Sequence, residues 1–323
     1  MDPGEIGRKI LEALEDPDRW SAWSQNGISG VHRRFSWKSH ARGYLEGVTR
    51  AMGGLPVEEV LGAKARRHHL SHLDRILVTD VDDTLTGNPE ALEAVRETLE
   101  RAGSHVGFGI ATGRTLERAV EGLRELGLRT PDILITASGT EIHYGDPFVE
   151  DLSWKRQINY RWEPGKVRES LLGMPGISPH GEGRSTPLRL RFRRDGPHGP
   201  SLAAIRRKLR RDGLRVMASL DHETDLDITP IRASPGLAIR FIAFKWNLAP
   251  DRILVAGDSG NDADMLSGET LGVVVANHTP ELEEIRGRPR VYFAEGRHGW
   301  GVLEGIRHYD FLDRIRIPDE DND

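Results

Sequence analysis

The chain has 323 residues, 37% hydrophobic and 29% charged, with a net charge of −5 and no cysteine. That length suffices for two domains with buried cores, and the near-balanced charge gives no drive toward nucleic acid. Disulfide and thiol chemistry are excluded. The composition fits a reducing cytoplasm, and the acidic start Met1-Asp2-Pro3-Gly4-Glu5 lacks the basic-then-apolar order of a secretory signal. No apolar run approaches about 18 residues, so no membrane span is expected.

Residues 1–66 read as a helical segment separate from the rest of the chain. Ile6, Ile10, Leu11 and Leu14 are spaced as one helix face. Asp16-Pro17 breaks that helix, and a second, short one carries Trp20 and Trp23. Ser36 is expected to cap a third helix through Tyr44, Leu45 and Val48, which Gly53-Gly54-Leu55-Pro56 ends. Arg66-Arg67-His68-His69 reads as a polar linker. His68, His69 and His72 imply no carboxylate or open coordination geometry, so they read as solvated rather than metal-binding.

Ile76-Leu77-Val78-Thr79 is a buried strand that stops at two carboxylates, Asp80 and Asp82. Open α/β sheets hold ligands just past their strand ends. Carboxylates there are costly to bury unless paired or bound to a hard cation; an Asp-rich turn is the bland alternative. Asn88-Pro89 starts a helix, Leu92, Val95, Leu99 and Ala102 form its buried stripe, and Gly103 stops it. Val106 to Ala111 is the next strand. Thr115 caps a helix with Leu116, Ala119, Val120 and Leu123 on one face, and Ile133 to Thr136 is a third strand. Arg252 to Ala256, Leu271 to Val275 and Val291 to Phe293 continue the alternation. The pattern predicts an α/β fold with a doubly wound, mostly parallel sheet covered on both faces.

Between about 153 and 229 glycine, proline and arginine rise, and short strand-like runs surround one helix near Ser201 to Arg211. This predicts an inserted α+β cap. Its nine Lys or Arg residues between Arg189 and Arg211 form either a solvated face or a basic rim that attracts an anionic substrate.

Two further strand ends carry polar groups. Thr112-Gly113-Arg114 offers a hydroxyl, a bare backbone amide and a guanidinium, a set that suits phosphate oxygens but is equally a plain turn. Gly257-Asp258-Ser259-Gly260-Asn261-Asp262 turns tightly at its glycines and gathers Asp258, Asn261 and Asp262 after an apolar strand. Asp80 and Asp82 at one strand end and Asp258 and Asp262 at the other are placed to share one divalent metal.

The order of these motifs, D-x-D-x-T at Asp80, Asp82 and Thr84, T-G-R at 112–114 and G-D-S-G-N-D at 257–262, resembles the haloacid-dehalogenase-like phosphatases. The resemblance is strongest to the sucrose-phosphate phosphatases and the phosphatase-like domain of sucrose-phosphate synthases. Pro131-Asp132-Ile133-Leu134-Ile135, Gly139-Thr140-Glu141-Ile142, Leu226-Asp227-Ile228 and Ala238-Ile239-Arg240-Phe241 support it, and it covers about 73 to 310. It implies a core from 73–152 and 230–323 with the cap at 153–229.

The resemblance also implies a sugar-phosphate substrate and a chemistry. Asp80 would be the nucleophile and Asp82 the general acid and base. Mg²⁺ would be held by Asp80, the Asp82 backbone carbonyl and Asp258, with Asp262 and Asn261 orienting that shell. Thr112, Gly113 and Arg114 would bind phosphate, while Asp83 and Asp132 would serve local structure. One departure stands out: Pro235 occupies the place where the family carries a phosphate-binding lysine. Arg232 is the expected substitute, with Arg240 and Lys245 behind it. His180, Glu182, Arg184, Arg189 and His222 are candidates to touch sugar hydroxyls or phosphate.

Asp16 to Trp23, Gln25-Asn26-Gly27 and Phe35-Ser36-Trp37 look like the tail of a sucrose-phosphate-synthase-type glycosyltransferase. That raises a glycosyltransferase subunit as a partner. Three readings are open: a phosphatase for sucrose 6-phosphate, a non-catalytic phosphosugar-binding or docking module, and a phosphatase for another disaccharide phosphate.

Overall fold

The computed structural model describes residues 3–34, 44, 70, 73–181, 185–221 and 224–317. The helix expected after Ser36, the histidines His68, His69 and His72, and the candidates Glu182, Arg184 and His222 lie outside the described residues. The chain divides into two units, Met1–His69 and Leu70–Asp323.

In the first unit α1 spans Pro3–Glu15 and α2 spans Pro17–Arg34. The break at Asp16-Pro17 falls where proline's missing donor and fixed φ require one. The second helix is longer than expected, because Gly27 and Gly30 cost about 1 kcal/mol each in a helix without ending it. Ile6, Ile10, Leu11, Leu14, Trp20 and Trp23 are all exposed.

The second unit begins with β1 (Arg75–Thr79), α3 (Pro89–Arg101), β2 (Val106–Ala111), α4 (Leu116–Glu125) and β3 (Ile133–Thr136). Next come β4 (Glu141–Tyr144), β5 (Val149–Glu150) and α5 (Leu152–Ile158). The inserted region holds α6 (Pro164–Leu172), β6 (Ile177–Pro179), β7 (Leu190–Arg194), α7 (Leu202–Arg211), β8 (Val216–Asp221) and β9 (Asp225–Pro230). The chain returns through α8 (Pro235–Trp246), β10 (Ile253–Gly257), α9 (Ala263–Leu266), β11 (Leu271–Val274), β12 (Val291–Phe293) and α10 (Gly299–His308).

The large sheet has the order β12-β11-β10-β1-β2-β3-β4-β5, parallel from β12 to β3. Strand side chains alternate faces: Ile76 and Val78 enter one apolar cluster and Leu77 the other. Both faces are therefore buried, which is why β1 reads as an unbroken apolar run. α3 forms where the sequence places it. Asn88 Oδ1 accepts from the Ala91 N–H at 2.9 Å, Pro89 opens the helix, and Ala91, Val95 and Leu99 are buried. Gly103 leaves it at φ +77.

β4 pairs antiparallel with β3 and β5 antiparallel with β4, and this hairpin has no clear signature in the sequence. Its approach turn puts Ala137, Ser138 and Gly139 all at positive φ (51, 58 and 85), and only the glycine signals such a conformation. At the start of the expected insertion, Asp151 accepts from the N–H groups of Ser153 and Trp154 and caps α5. Trp154 and Ile158 of that helix pack with Ala238 and Ile239, so α5 joins the core layer rather than the insertion.

The inserted region forms its own antiparallel sheet, β6-β7-β9-β8. Leu190, Phe192, Leu226 and Ile228 bury against Val167, Leu171, Ile205 and Leu209 of α6 and α7. The alternate positions carry charge, with Arg189 just before β7, Arg191 within it, and Asp225 and Asp227 on β9, where Asp227 is the register partner of Arg191. That polar face meets the core sheet's carboxyl ends across a cleft.

Candidate active site

The chain fills β1, β2 and β3 on one side of the sheet and returns to β10, β11 and β12 on the other. The direction reverses between β1 and β10, the switch point where such sheets bind ligands. Asp80 is the first residue past β1, and its N–H donates to the Ala256 carbonyl of β10 at 2.9 Å. Asp258 is the first residue past β10. Thr84 Oγ1 donates to its carboxylate at 3.0 Å.

Asp262 closes a single turn, Gly260–Asp262, through a capping box with Ser259. Its Oδ2 accepts from Asp258 N (3.2 Å), Ser259 N (3.0 Å) and Ser259 Oγ (3.1 Å). The approach demands Gly257, because a Cβ there would lie 2.6 Å from Asp262 Cγ.

Asp80, Asp258 and Asp262 thereby offer carboxylate oxygens that all lie within 4.8 Å of one another. Burial pushes the Asp80 carboxyl well above the usual carboxylate range, and the charges of Asp262 and Asp258 add to it. Burial likewise lifts Asp258 to about 6 against the opposing Thr84 hydrogen bond. Asp262 is raised chiefly by burial, although the Ser259 N–H favours its charged form. Three hard oxygen donors that resist sharing negative charge make a fitting seat for a divalent cation.

Asp82 does not join this cluster through its carboxylate. Arg114 holds that group with Nε at 3.0 Å and with Nη2, on a half-exposed side chain. Asp83, at φ +60, presents its carbonyl to Asn277 Nδ2 (2.8 Å) and His298 Nδ1 (2.7 Å). Asp132 accepts from Phe108 N at 2.8 Å, a role in the β2–β3 junction. Thr112 is buried and takes the Arg114 N–H on its Oγ1 at 3.2 Å. Gly113 lies exposed beside it.

These groups open onto a cleft of about 860 Å³. Its floor includes Asp80, Thr112, Gly113, Pro235, Asp258 and Asn261, and its cap side includes Arg189, Arg191, Asp225 and Asp227. None of the three expected lysine substitutes lines it. Arg232 is exposed, with its guanidinium 4.4 Å from the Tyr160 ring centroid. The residues that follow it, Ala233 and Ser234, are buried. Arg240 is exposed on α8. Lys245 is bound 2.5 Å from Asp151.

His180 lies 3.3 Å from Asp225, one of the cap residues of the cleft. Arg189 lines the cleft, and so do Arg191, Asp225 and Asp227, which the sequence reading does not single out. A signal for them exists: Arg189-Leu190-Arg191-Phe192 and Asp225-Leu226-Asp227-Ile228 alternate charged and apolar residues with period two, which puts the charges on one sheet face.

Comparison with known proteins bears on this arrangement. The family model for sucrose-6F-phosphate phosphohydrolase matches residues 73–310. A probable sucrose-phosphatase 2 of Arabidopsis thaliana is 30% identical over 249 residues, which is 72% of this chain and 59% of that protein. The chain thus spans somewhat more than half of that relative. A probable sucrose-phosphate synthase 2 of Oryza sativa subsp. japonica is 26% identical over 295 residues, 80% of this chain and 30% of the synthase. The X-ray structure of the sucrose-phosphatase from Synechocystis sp. PCC6803, in complex with sucrose and phosphate, superposes with a TM-score of 0.71 at 28% identity, covering 75% of this chain and all (100%) of that one. A haloacid dehalogenase-like hydrolase from Bacillus subtilis shares the fold with a TM-score of 0.56 at 19% identity, covering 78% and 99%. With its haloacid-dehalogenase-like core and second antiparallel sheet, the chain belongs to the sucrose-6F-phosphate phosphohydrolase family.

Proposed function

We propose that this protein is a Mg²⁺-dependent phosphatase that hydrolyses sucrose 6-phosphate to sucrose and phosphate. One observation carries the reading. Three carboxylates within 4.8 Å of one another share a cleft with Thr112 and Gly113, so a metal seat and phosphate-oxygen donors face the same space. The choice of sugar rests on the relatives, among them a sucrose-phosphatase that binds sucrose and phosphate.

Asp80, Asp258 and Asp262 would hold the ion, with Asn261 and the Asp82 carbonyl at its margin. When bound, Mg²⁺ offsets the carboxylate repulsion and the charge on the phosphoryl oxygens. The rest is work for the chain. Asp80 attacks phosphorus as the bond to the sugar oxygen breaks, which leaves an aspartyl-phosphate. Asp82 in its protonated form gives that proton to the departing sugar oxygen. Water then attacks phosphorus and yields a proton to Asp82, and the Asp80–phosphorus bond breaks to release phosphate. Thr112 and the Gly113 N–H hold the phosphoryl oxygens. Arg114 holds Asp82 at the mouth of the cleft between turnovers.

The region from about 153 to 229, apart from α5 on the core layer, is the cap that selects the sugar, and the enzyme works in the cytoplasm. Among the described residues no helix is long and apolar enough to cross a membrane.

A second reading is a phosphosugar-binding or docking module for a glycosyltransferase subunit. It is favoured by Pro235 in the cleft and by the exposed Trp20 and Trp23. Phosphate release from sucrose 6-phosphate, with Mg²⁺ and with EDTA, beside mannosyl-fructose and trehalose phosphates, tests both. Metal-dependent turnover that prefers sucrose 6-phosphate is expected. Turnover of another sugar phosphate keeps the chemistry and overturns the substrate. No turnover by a folded, Mg²⁺-loaded protein leaves the module.

A further inference from the structure

If the cleft binds a phosphate dianion beside Asp80, Asp258 and Asp262, cations besides the metal must face that anion. The start of α8 does not help. Pro235 has no N–H, Gly236 N–H donates to Asp264 Oδ2 at 3.1 Å, and Leu237 N–H donates to Ser234 Oγ at 3.1 Å. Arg114 is engaged by Asp82. Two guanidinium groups do stand next to the phosphate loop, and both come from the other sheet: Arg189 Nη1 donates to the Gly113 carbonyl, and Arg191 Nη2 lies 4.0 Å from where a Cβ on Gly113 would sit.

Arg189 just before β7 and Arg191 within it, two positions apart, share one face and are almost fully buried, at 1% and 8% exposure. Arg191 grips Asp227 with Nε at 2.6 Å and Nη2 at 2.8 Å and lies 3.5 Å from Asp225. Ser138, in the core turn after β3, donates to the same Asp227 at 2.8 Å. Arg189 Nη1 lies 3.7 Å from Asp227 Oδ2 and donates to the Gly113 carbonyl. The amide nitrogen and carbonyl oxygen of one residue are at most about 3.6 Å apart. The Arg189 guanidinium is therefore adjacent to the amide at which phosphate would bind.

We infer that Arg189 is the phosphate-binding cation of this cleft, delivered from the cap and aimed by Asp227, Arg191 and Ser138. The inference rests on the phosphatase reading above. A planar fork of N–H donors suits phosphate oxygens. Because Arg189 and Gly113 belong to different sheets, an anion gripped by both joins the cap to the core, and the cation is present only when the two meet.

The test compares wild type, Arg189→Gln, Arg189→Lys and the double variant Arg189→Gln with Pro235→Lys. The readouts are kcat, KM and inhibition by inorganic phosphate in Mg²⁺. Arg189→Gln is expected to lose about 10²-fold in kcat/KM and to weaken inhibition by phosphate at least about tenfold, without changing inhibition by sucrose. Arg189→Lys keeps the charge and stays within about tenfold of wild type. Pro235 lines the same cleft, so a lysine there restores part of the loss.

A folded Arg189→Gln whose kcat/KM and phosphate inhibition stay within about twofold of wild type overturns the inference. If that variant does not fold, a crystal structure of the wild type with Mg²⁺ and orthovanadate decides instead. A guanidinium nitrogen about 3 Å from a vanadate oxygen supports the role, and a gap beyond about 5 Å overturns it. A wild type without turnover on any sugar phosphate takes down the parent reading and this one together. An active wild type with an indifferent Gln variant takes down this one alone.

Discussion

Thr84 Oγ1 donates to the Asp258 carboxylate at 3.0 Å, joining the loop after β1 to the end of β10 across 174 positions of sequence. The bond stabilises the charged form of a buried carboxylate and fixes one lobe of the acidic cluster. Outer partners of this kind carry 10- to 100-fold of metal affinity as a rule. Thr84→Val, which keeps the shape and deletes the donor, is expected to weaken Mg²⁺ binding about tenfold. Thr84→Ser should retain it. Calorimetric titration with Mg²⁺ measures both, and equal affinities for Val and wild type would refute the role.

Asp80→Asn is expected to abolish turnover and at the same time to stabilise the metal-free fold. Burial and the charges of Asp262 and Asp258 oppose ionisation of Asp80, so removing its charge relieves repulsion. A gain of about 1 kcal/mol corresponds to a rise of roughly 2–4 °C in melting temperature for a domain of this class. Thermal unfolding in EDTA checks it. A variant that melts below wild type would show that Asp80 supports the fold rather than straining it.

The same repulsion sets a pH dependence. Asp258 titrates near 6 in the folded, metal-free protein, above the value of about 3.9 for an unfolded aspartate. The unfolded chain therefore loses this proton first as pH rises, so the folded state is relatively less stable above pH 6 than below pH 4. The elevation of Asp80 and Asp262 acts in the same direction. Metal-free protein should melt at a higher temperature at pH 5.5 than at pH 8, and Mg²⁺ should erase most of the difference. A melting temperature in EDTA that rises with pH across this window would contradict it.

Asp151 makes the opposite case. Burial alone would raise its pKa, but Lys245 at 2.5 Å, the Tyr144 hydroxyl at 2.8 Å and the Trp154 N–H outweigh it and hold the carboxyl below the usual range. A lowered folded value contributes stability that is present above about pH 4 and lost as pH falls through the folded pKa. Asp151→Ala also removes the cap of α5 and strands Lys245, and is expected to cost about 3 kcal/mol. Urea unfolding at pH 7 should show the loss, and the gap to wild type should narrow at low pH.

Much of the core was legible in the chain because its elements are fixed locally. β1 comes from an apolar run, α3 from Asn88, Pro89 and a 3.6-residue stripe, and the loop 257–262 from glycines around three polar side chains. The hairpin β4–β5 was not legible, since two of the three left-handed residues before it are alanine and serine. Arg232 lies outside the cleft for a related reason. Its distance in sequence from Pro235 is short, but the chain turns into α8 between them and points the guanidinium at Tyr160.

The polar strand ends were readable from the chain alone: Asp80 and Asp82, Thr112 and Gly113, Asp258 and Asp262. Each depends on a strand stopping where apolar residues give way to polar ones, and that is a local event. Which of them meet is a matter of three-dimensional packing. Asp80, Asp258 and Asp262 converge because β1 and β10 are neighbours at the point where the strand order reverses. Asp82 turns away to Arg114, and Arg189 reaches Gly113 from a different sheet. Those pairings span tens to hundreds of residues, and they are selected by the packing of two sheets rather than by any spacing along the chain.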